Sequence, residues 1–389
     1  MNRRKFFESA AAAAFLRARP QRTFVFFIDG LGEDYIAASA MPVLHSWGRK
    51  GLRRTVKGVM PSVTNANNAS VCCGCFPAEH GITANFFLDE ATGKELYMES
   101  ADLVLRPTLF ERAARRLGVK SALLSSKKKT ISLLPRGADL VLSAEVPTSE
   151  WSQRLGPAPN IYSPDINYWL LKAAEWIARN RADIGVMYVH TTDYPMHMWP
   201  PEAPESKRHL ATVDGLLGEI AAAAPDAAML LTADHGMNHK TRCWDLEHAC
   251  ANRGLKLRAA ISAEQDKYLK HHQGYGGTAW VYLESKKDEG RAASMIGSLP
   301  GIERVYSRQE FAREFRSFPA RIGELVAIGD KTTVFGRMDE ESKQLPPQYR
   351  SHGCLVEASV PLVVFNASKA PDSEAFRYNL DLTRWLTVA

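Results

Sequence analysis

At 389 residues the chain can bury one large core with an inserted subdomain, or two domains. Its composition is that of an ordinary globular protein, 45% hydrophobic and 24% charged, with 49 Lys and Arg against 43 Asp and Glu. So small and scattered a surplus argues against nucleic acid and suits a small anionic substrate, and no apolar run approaches the ~20 residues that a membrane helix needs.

In chain order, Met1 to Phe7 followed by Ala10 to Leu16 resembles a twin-arginine export signal, and reads equally well as an N-terminal amphipathic helix. Residues 1–20 are therefore set apart, with a cytoplasmic or periplasmic location left open. A nearly continuous apolar run, Phe24 to Ile28, ends in Asp29-Gly30. Pro61 then sets a turn, and Thr64 falls at the start of a helix through Ala69 and Val71. Cys72, Cys73 and Cys75 crowd this segment while Cys243, Cys250 and Cys354 lie far off, so buried free thiols are expected rather than a disulfide scaffold. A helix from Leu109 to Leu117 precedes the apolar run Ser121 to Leu124, which ends near Lys127-Lys128-Lys129.

The next helix is predicted over Tyr168 to Arg179, followed by the run Gly185 to Val189. That run leads through His190, Thr191 and Thr192 to Asp193, with His197 four residues on. Asp193 and His197 are spaced for one helix face, but Pro195 disfavours helix at Tyr194 and predicts a shared loop. A helix from Lys207 to Ala224 precedes Ala228 to Leu231, which ends in Asp234-His235-Gly236. From 240 to 350 the pattern changes to Gly-rich turns, a strand at Thr278 to Glu284, a helical segment near Gln309 to Phe315 and a short strand at Leu325 to Ile328. Core-like sequence resumes with Ser351-His352-Gly353 and the run Val360 to Phe365.

Runs apolar on both faces suit central parallel strands covered by helices. The alternation predicts an α/β fold: a three-layer sandwich with a mostly parallel central sheet and an inserted small α+β cap. The core would be 21–239 with 351–389, and the cap 240–350.

Ligands of open α/β sheets bind beyond the carboxyl ends of the strands, which brings Asp29, Asp193 and Asp234, with His197 and His235 beside them, to one crevice, and His352 counts only through its occurrence together with these. Carboxylates gathered there repel, and cations relieve the repulsion: Asp oxygens and neutral His nitrogens suit zinc, and also manganese or iron. A hydroxyl at Thr64 gains from unpaired N–H groups at a helix start, which also favour a phosphoryl anion. Spacing alone leaves Thr64 as either cap or nucleophile.

At these residues the chain resembles the alkaline phosphatase superfamily, and within it phosphonoacetate hydrolase more than the nucleotide pyrophosphatase/phosphodiesterases. The likeness runs from Thr23 onward and is most specific at Pro61 to Ser70, His80 to Phe86, Thr191 to Asp193 with His197, Asp234 to Met237 and Ser351 to Gly353. Arg321 to Leu325 through Gly329-Asp330-Lys331 also looks like that family's cap. The resemblance implies two zinc ions, one held by Asp193, His197 and His352, the other by Asp29, Thr64, Asp234 and His235. It implies a phosphoryl contact at Asn85 and a substrate-carboxylate grip at Lys127 and Lys129. The chain departs from that pattern at Lys128, where an acid is usual, and at Thr130.

The implied reaction is hydrolysis of the C–P bond of phosphonoacetate to acetate and phosphate, through a phosphothreonine at Thr64. The alternative is a phosphodiesterase, nucleotide pyrophosphatase or phosphomonoesterase on the same scaffold, with Phe86, Phe87 and Trp199 available as an aromatic slot. Either way the partner is a small anionic phosphonate or phosphate ester, and a homodimer is left open.

Overall fold

The computed structural model describes residues 20–266 and 273–387. The N-terminal segment read as an export signal or helix falls almost wholly outside them.

A seven-stranded sheet runs through the centre in the order Leu52–Lys57, Ser359–Phe365, Ala228–Thr232, Thr23–Phe27, Ile184–His190, Lys120–Ser125, Leu140–Ser143. The last five of these pair parallel, and only Ser359–Phe365 runs against its neighbours. Every residue of Thr23–Phe27 is buried, which requires cover on both faces. The alternation of side chains shows that cover directly. Phe26 meets Trp47 of the helix Pro42–Lys50, with ring centroids 6.4 Å apart. Its neighbour Phe27 meets Tyr188, which meets Phe110 of the helix Leu109–Leu117. The helices fall into two groups accordingly. Pro42–Lys50, Asp165–Asn180 and Pro204–Ala223 pack together, while Thr64–Cys73, Leu109–Leu117 and Asp381–Arg384 pack on the sheet as a second set. Truncating a ring such as Phe26 to alanine would cost about 3–5 kcal/mol, because a rigid sheet cannot collapse into the void.

A four-stranded antiparallel sheet, in the order Leu257–Ser262, Thr278–Leu283, Leu325–Gly329, Ile302–Ser307, lies within the segment read as the cap. Its helices include Glu289–Gly297 and Arg308–Phe315, and it shares a buried cluster with Val59, Met60, Val63 and Phe86. The small sheet thus packs against the segment that carries Thr64. No described helix is long and apolar enough to cross a membrane. All six cysteines are free.

Candidate metal centre

Strand register brings the acids together. Phe27 pairs with both His190 and Thr232, and His190 pairs with Ser125. Residues just beyond those positions must therefore share one rim: Asp29, Asp193, Asp234 and Lys127. Two groups of potential ligands result, Asp29 with Asp234 and His235, and Asp193 with His197 and His352, all buried.

The expectation of a loop for Asp193 and His197 is corrected. Tyr194–Met198 is a short helix with Asp193 at its N-cap position, and Pro195 sits in the first turn, where a missing N–H costs nothing. That turn sets His197 Nε2 2.9 Å from Asp193 Oδ2.

Each histidine is oriented by its other nitrogen. His197 Nδ1 donates to Arg350 O (2.8 Å), His352 Nδ1 to Ser62 O (2.8 Å) and His235 Nδ1 to Gly236 O (3.0 Å). Carbonyls only accept, so Nδ1 carries a proton in each ring, which leaves Nε2 as the nitrogen that the neutral ring would offer to a metal. Arg350 is itself fixed by donating to Met196 O, Met237 O and the Tyr35 hydroxyl.

Four buried atoms at the centre have no hydrogen-bond partner: Asp29 Oδ1, Asp234 Oδ2, His235 Nε2 and His352 Nε2. A buried acceptor left unpaired costs about 1–3 kcal/mol, and four at one point ask for a common partner. Charge makes the same demand. Three carboxylates gather here with one ammonium, which reaches two of them: Lys127 Nζ donates to Asp29 Oδ2 (2.6 Å) and Asp193 Oδ1 (2.8 Å). Burial opposes the charge on Lys127, yet Asp193 and Asp29 raise its pKa well above the ordinary value. Burial and the Asp193 carboxylate both push Asp29 upward, but Lys127 and His190 together hold it below the usual range. At Asp234 burial, followed by the Asp29 charge, drives the pKa well up despite the N–H donated by Gly30. The cluster is short of positive charge, and divalent cations on these oxygens and nitrogens would supply it. The donor set fits two such ions.

Thr64 opens the helix Thr64–Cys73 and is buried, with the N-cap position at Val63. The hydroxyl is therefore not at the cap position. The residues around it reach the cluster, since Ser62 O accepts from His352 and the Asn65 N–H donates to Asn85 Oδ1 (3.2 Å). Asn85 is buried beside this helix start.

Lys127 and Lys129 lie inside, with side chains 11% and 9% exposed, while Lys128 faces solvent. The chain leaves the strand at Ser125, is extended at Lys127 and enters helix at Lys128, which turns alternate lysines inward. Lys129 pairs with Asp266, and its pKa rises because that carboxylate outweighs burial. A pocket of about 50 Å3 adjoins the centre here, lined by both lysines, Tyr162, Tyr194, Glu264 and Asp266 among others. None of the residues expected to form an aromatic slot lines this pocket: Phe86 and Phe87 are buried in the cores, and Trp199 packs edge-on against Tyr194.

Three contributors were not singled out from sequence. His190 Nε2 lies 3.2 Å from Asp29 Oδ2, and the ring's Nδ1 is 3.0 Å from the hydroxyls of Ser125 and Thr130. Its place at a strand end, one residue before Thr191, was the available signal. Glu264 and Asp266 follow a strand of the small sheet, and nothing local marks them.

The family model for type I phosphodiesterase/nucleotide pyrophosphatase matches residues 23–355. Among solved structures, phosphonoacetate hydrolase from Sinorhizobium meliloti in complex with phosphonoacetate is similar at a TM-score of 0.84, with 27% identity over 95% of each chain. Its complex with phosphonoformate gives the same TM-score and coverage at 28% identity. An inactive form of murine ectonucleotide pyrophosphatase/phosphodiesterase 5 in complex with AMP superposes at a TM-score of 0.68, with 18% identity over 94% of each chain, a likeness of fold alone. An uncharacterized pyrophosphatase/phosphodiesterase of Schizosaccharomyces pombe is 23% identical over 235 residues. That stretch covers 55% of this chain and 44% of the yeast protein, so the chain matches less than half the length of that relative.

Proposed function

The chain belongs to the type I phosphodiesterase/nucleotide pyrophosphatase family, and from that premise we propose that it is a two-metal phosphonate hydrolase converting phosphonoacetate to acetate and phosphate. The observation that carries this reading is the inward pair Lys127 and Lys129 at the rim of the carboxylate–imidazole cluster, with Lys128 left in solvent. Two ammonium groups beside a phosphoryl site suit a small substrate with a second anionic end.

Asp29, Asp234 and His235 with Thr64 would hold one ion, and Asp193, His197 and His352 the other. Zinc, or manganese or iron in its place, would supply Lewis acidity toward the Thr64 hydroxyl and the phosphoryl oxygens. The Thr64 hydroxyl loses its proton to solvent as its oxygen attacks phosphorus, the C–P bond breaks and its electron pair leaves with the acetate carbon. Conjugation with the carboxylate spreads that charge as an enolate, and Lys127 and Lys129 face it with positive charge. The carbon then takes a proton from water. A second water hydrolyses the phosphothreonine, returning Thr64 and releasing phosphate. The Asn85 amide and backbone N–H groups at the helix start hold the phosphoryl oxygens throughout.

A nucleotide diester is the second reading, favoured by Tyr162 and Tyr194, whose rings lie 6.2 Å apart beside the lysines and offer a face to a base. Phosphorus and proton NMR of metal-loaded protein with phosphonoacetate, reading phosphate and acetate respectively, test the proposal. Equal amounts of phosphate and acetate are expected, and no release alongside cleavage of bis(4-nitrophenyl) phosphate would leave the diesterase reading in its place.

A further inference from the structure

We propose that Glu264 is a positioning residue that sets the orientation of the Asn85 amide. The inference rests on the reading of Asn85 as a phosphoryl contact.

An asparagine amide can present either its oxygen or its nitrogen to a substrate, and only the nitrogen attracts a phosphoryl oxygen. At Asn85 both ends are committed. The oxygen accepts from the Asn65 N–H (3.2 Å), the residue after Thr64, and a backbone N–H can only donate. The nitrogen donates to Glu264 Oε2 (3.0 Å), with a longer contact of 3.5 Å to Glu264 O, and both of these oxygens accept. A donor at one end and an acceptor at the other allow one orientation of the amide. One N–H is held by the carboxylate, and the second, whose contact to Glu264 O is the long one at 3.5 Å, would turn to a phosphoryl oxygen when substrate binds.

The backbone is fixed by the same turn. Asn85 N–H donates to Ala263 O (3.0 Å) and Asn85 O accepts from the Met98 N–H (2.9 Å). Glu264 is 3% exposed and follows the small-sheet strand Leu257–Ser262. Its seat is tight, because a Cβ on Gly276 would fall 2.5 Å from the Glu264 Cβ. A carboxylate buried near an anionic substrate is electrostatically unfavourable, and orienting Asn85 is a role that accounts for its presence. The Glu264 carboxylate also lies 3.5 Å (Oε1) from His352 Nε2 and lines the pocket with Lys127 and Lys129.

The experiment is a double-mutant cycle between Glu264→Ala and Asn85→Ala on metal-loaded protein, read with phosphonoacetate and, separately, with 4-nitrophenyl phosphate. Asn85→Ala should lower kcat about a hundredfold. Glu264→Ala should lower it about tenfold or more, while Glu264→Gln, which keeps an acceptor, stays within about threefold of wild type. In the Asn85→Ala background, removing Glu264 should change kcat by less than about twofold. Equal losses in both backgrounds would overturn the proposal, as would a drop in bound metal in Glu264→Ala, which points to His352 instead. If Glu264→Ala does not fold, Glu264→Met fills the same volume without an acceptor and completes the cycle. Full activity in Asn85→Ala would remove the Asn85 reading and this proposal with it. Absence of phosphonoacetate turnover alone would leave the cycle to be read on the ester.

Discussion

The imidazole rings of His235 and His352 lie face to face, their centroids 3.4 Å apart and their planes 8° from parallel. Each has Nδ1 engaged by a carbonyl and Nε2 without a hydrogen-bond partner. Burial and the neighbouring His352 push His235 well below the usual histidine range, so this ring stays neutral with its lone pair exposed to the cluster. Purified protein should therefore retain two divalent ions per chain by elemental analysis. His352→Ala and His235→Ala should each lose one. Chelation should lower the melting temperature, and re-adding metal at a hundred times its dissociation constant should return about 2.7 kcal/mol of stability. A chain that keeps no metal and melts unchanged in chelator would refute the two-ion reading.

Thr64→Ala should reduce turnover at least about a thousandfold by removing the attacking oxygen, while Thr64→Ser keeps a measurable part of it. The helix start should survive, since Thr64 is not at the cap position of Thr64–Cys73. Acid-quenched wild type incubated with substrate should carry a phosphoryl group on the peptide containing Thr64. The same peptide from Thr64→Ala should not.

Substitutions in the lysine run test the substrate-carboxylate contact of the proposed function. Lys129→Gln should raise KM for phosphonoacetate about tenfold, the worth of one charge-assisted hydrogen bond, and leave KM for 4-nitrophenyl phosphate nearly unchanged. Lys128→Gln should change neither, because that side chain is in solvent. Equal effects at Lys128 and Lys129 would mean that the run is only a basic surface turn.

Two histidines away from the metal centre predict acid sensitivity. Burial, with the Arg321 charge adding to it, lowers His80 to about 3, and burial lowers His209 to about 3. Between that value and about 6.5 the unfolded chain binds a proton at each position and the folded chain does not. Stability is therefore fully present above about pH 6.5 and falls as pH drops, by about 1.4 kcal/mol per unit for each ring. Urea midpoints taken between pH 7 and pH 5 should show this slope, and His209→Gln should flatten it by one ring's share. An unchanged slope in that variant would show that His209 is charged in the fold.

Much of the centre was legible in sequence because it depends on short-range order. Asp29, Asp193 and Asp234 each follow an apolar run by a few residues, and register alone then brings them together. The placement of Lys127 and Lys129 depended on the strand-to-helix break at Lys128, which three consecutive lysines do not reveal. Pro195 misled for a definable reason: it bars a helix interior but suits the first turn, where Tyr194–Met198 places it. Glu264 and Asp266 were illegible because chain segments remote in sequence bring them to Asn85 and Lys129. No local pattern indicates that the turn after Leu257–Ser262 lies over Asn85.

The central claim, a phosphorus hydrolase whose lysine pair selects a carboxylated substrate, is tested most directly by one ratio. It is kcat/KM for phosphonoacetate divided by kcat/KM for bis(4-nitrophenyl) phosphate, measured on a single metal-loaded preparation. A ratio well above unity that collapses in the Lys127→Gln/Lys129→Gln double variant is the predicted result. A ratio below unity, unmoved by losing both lysines, would contradict the claim.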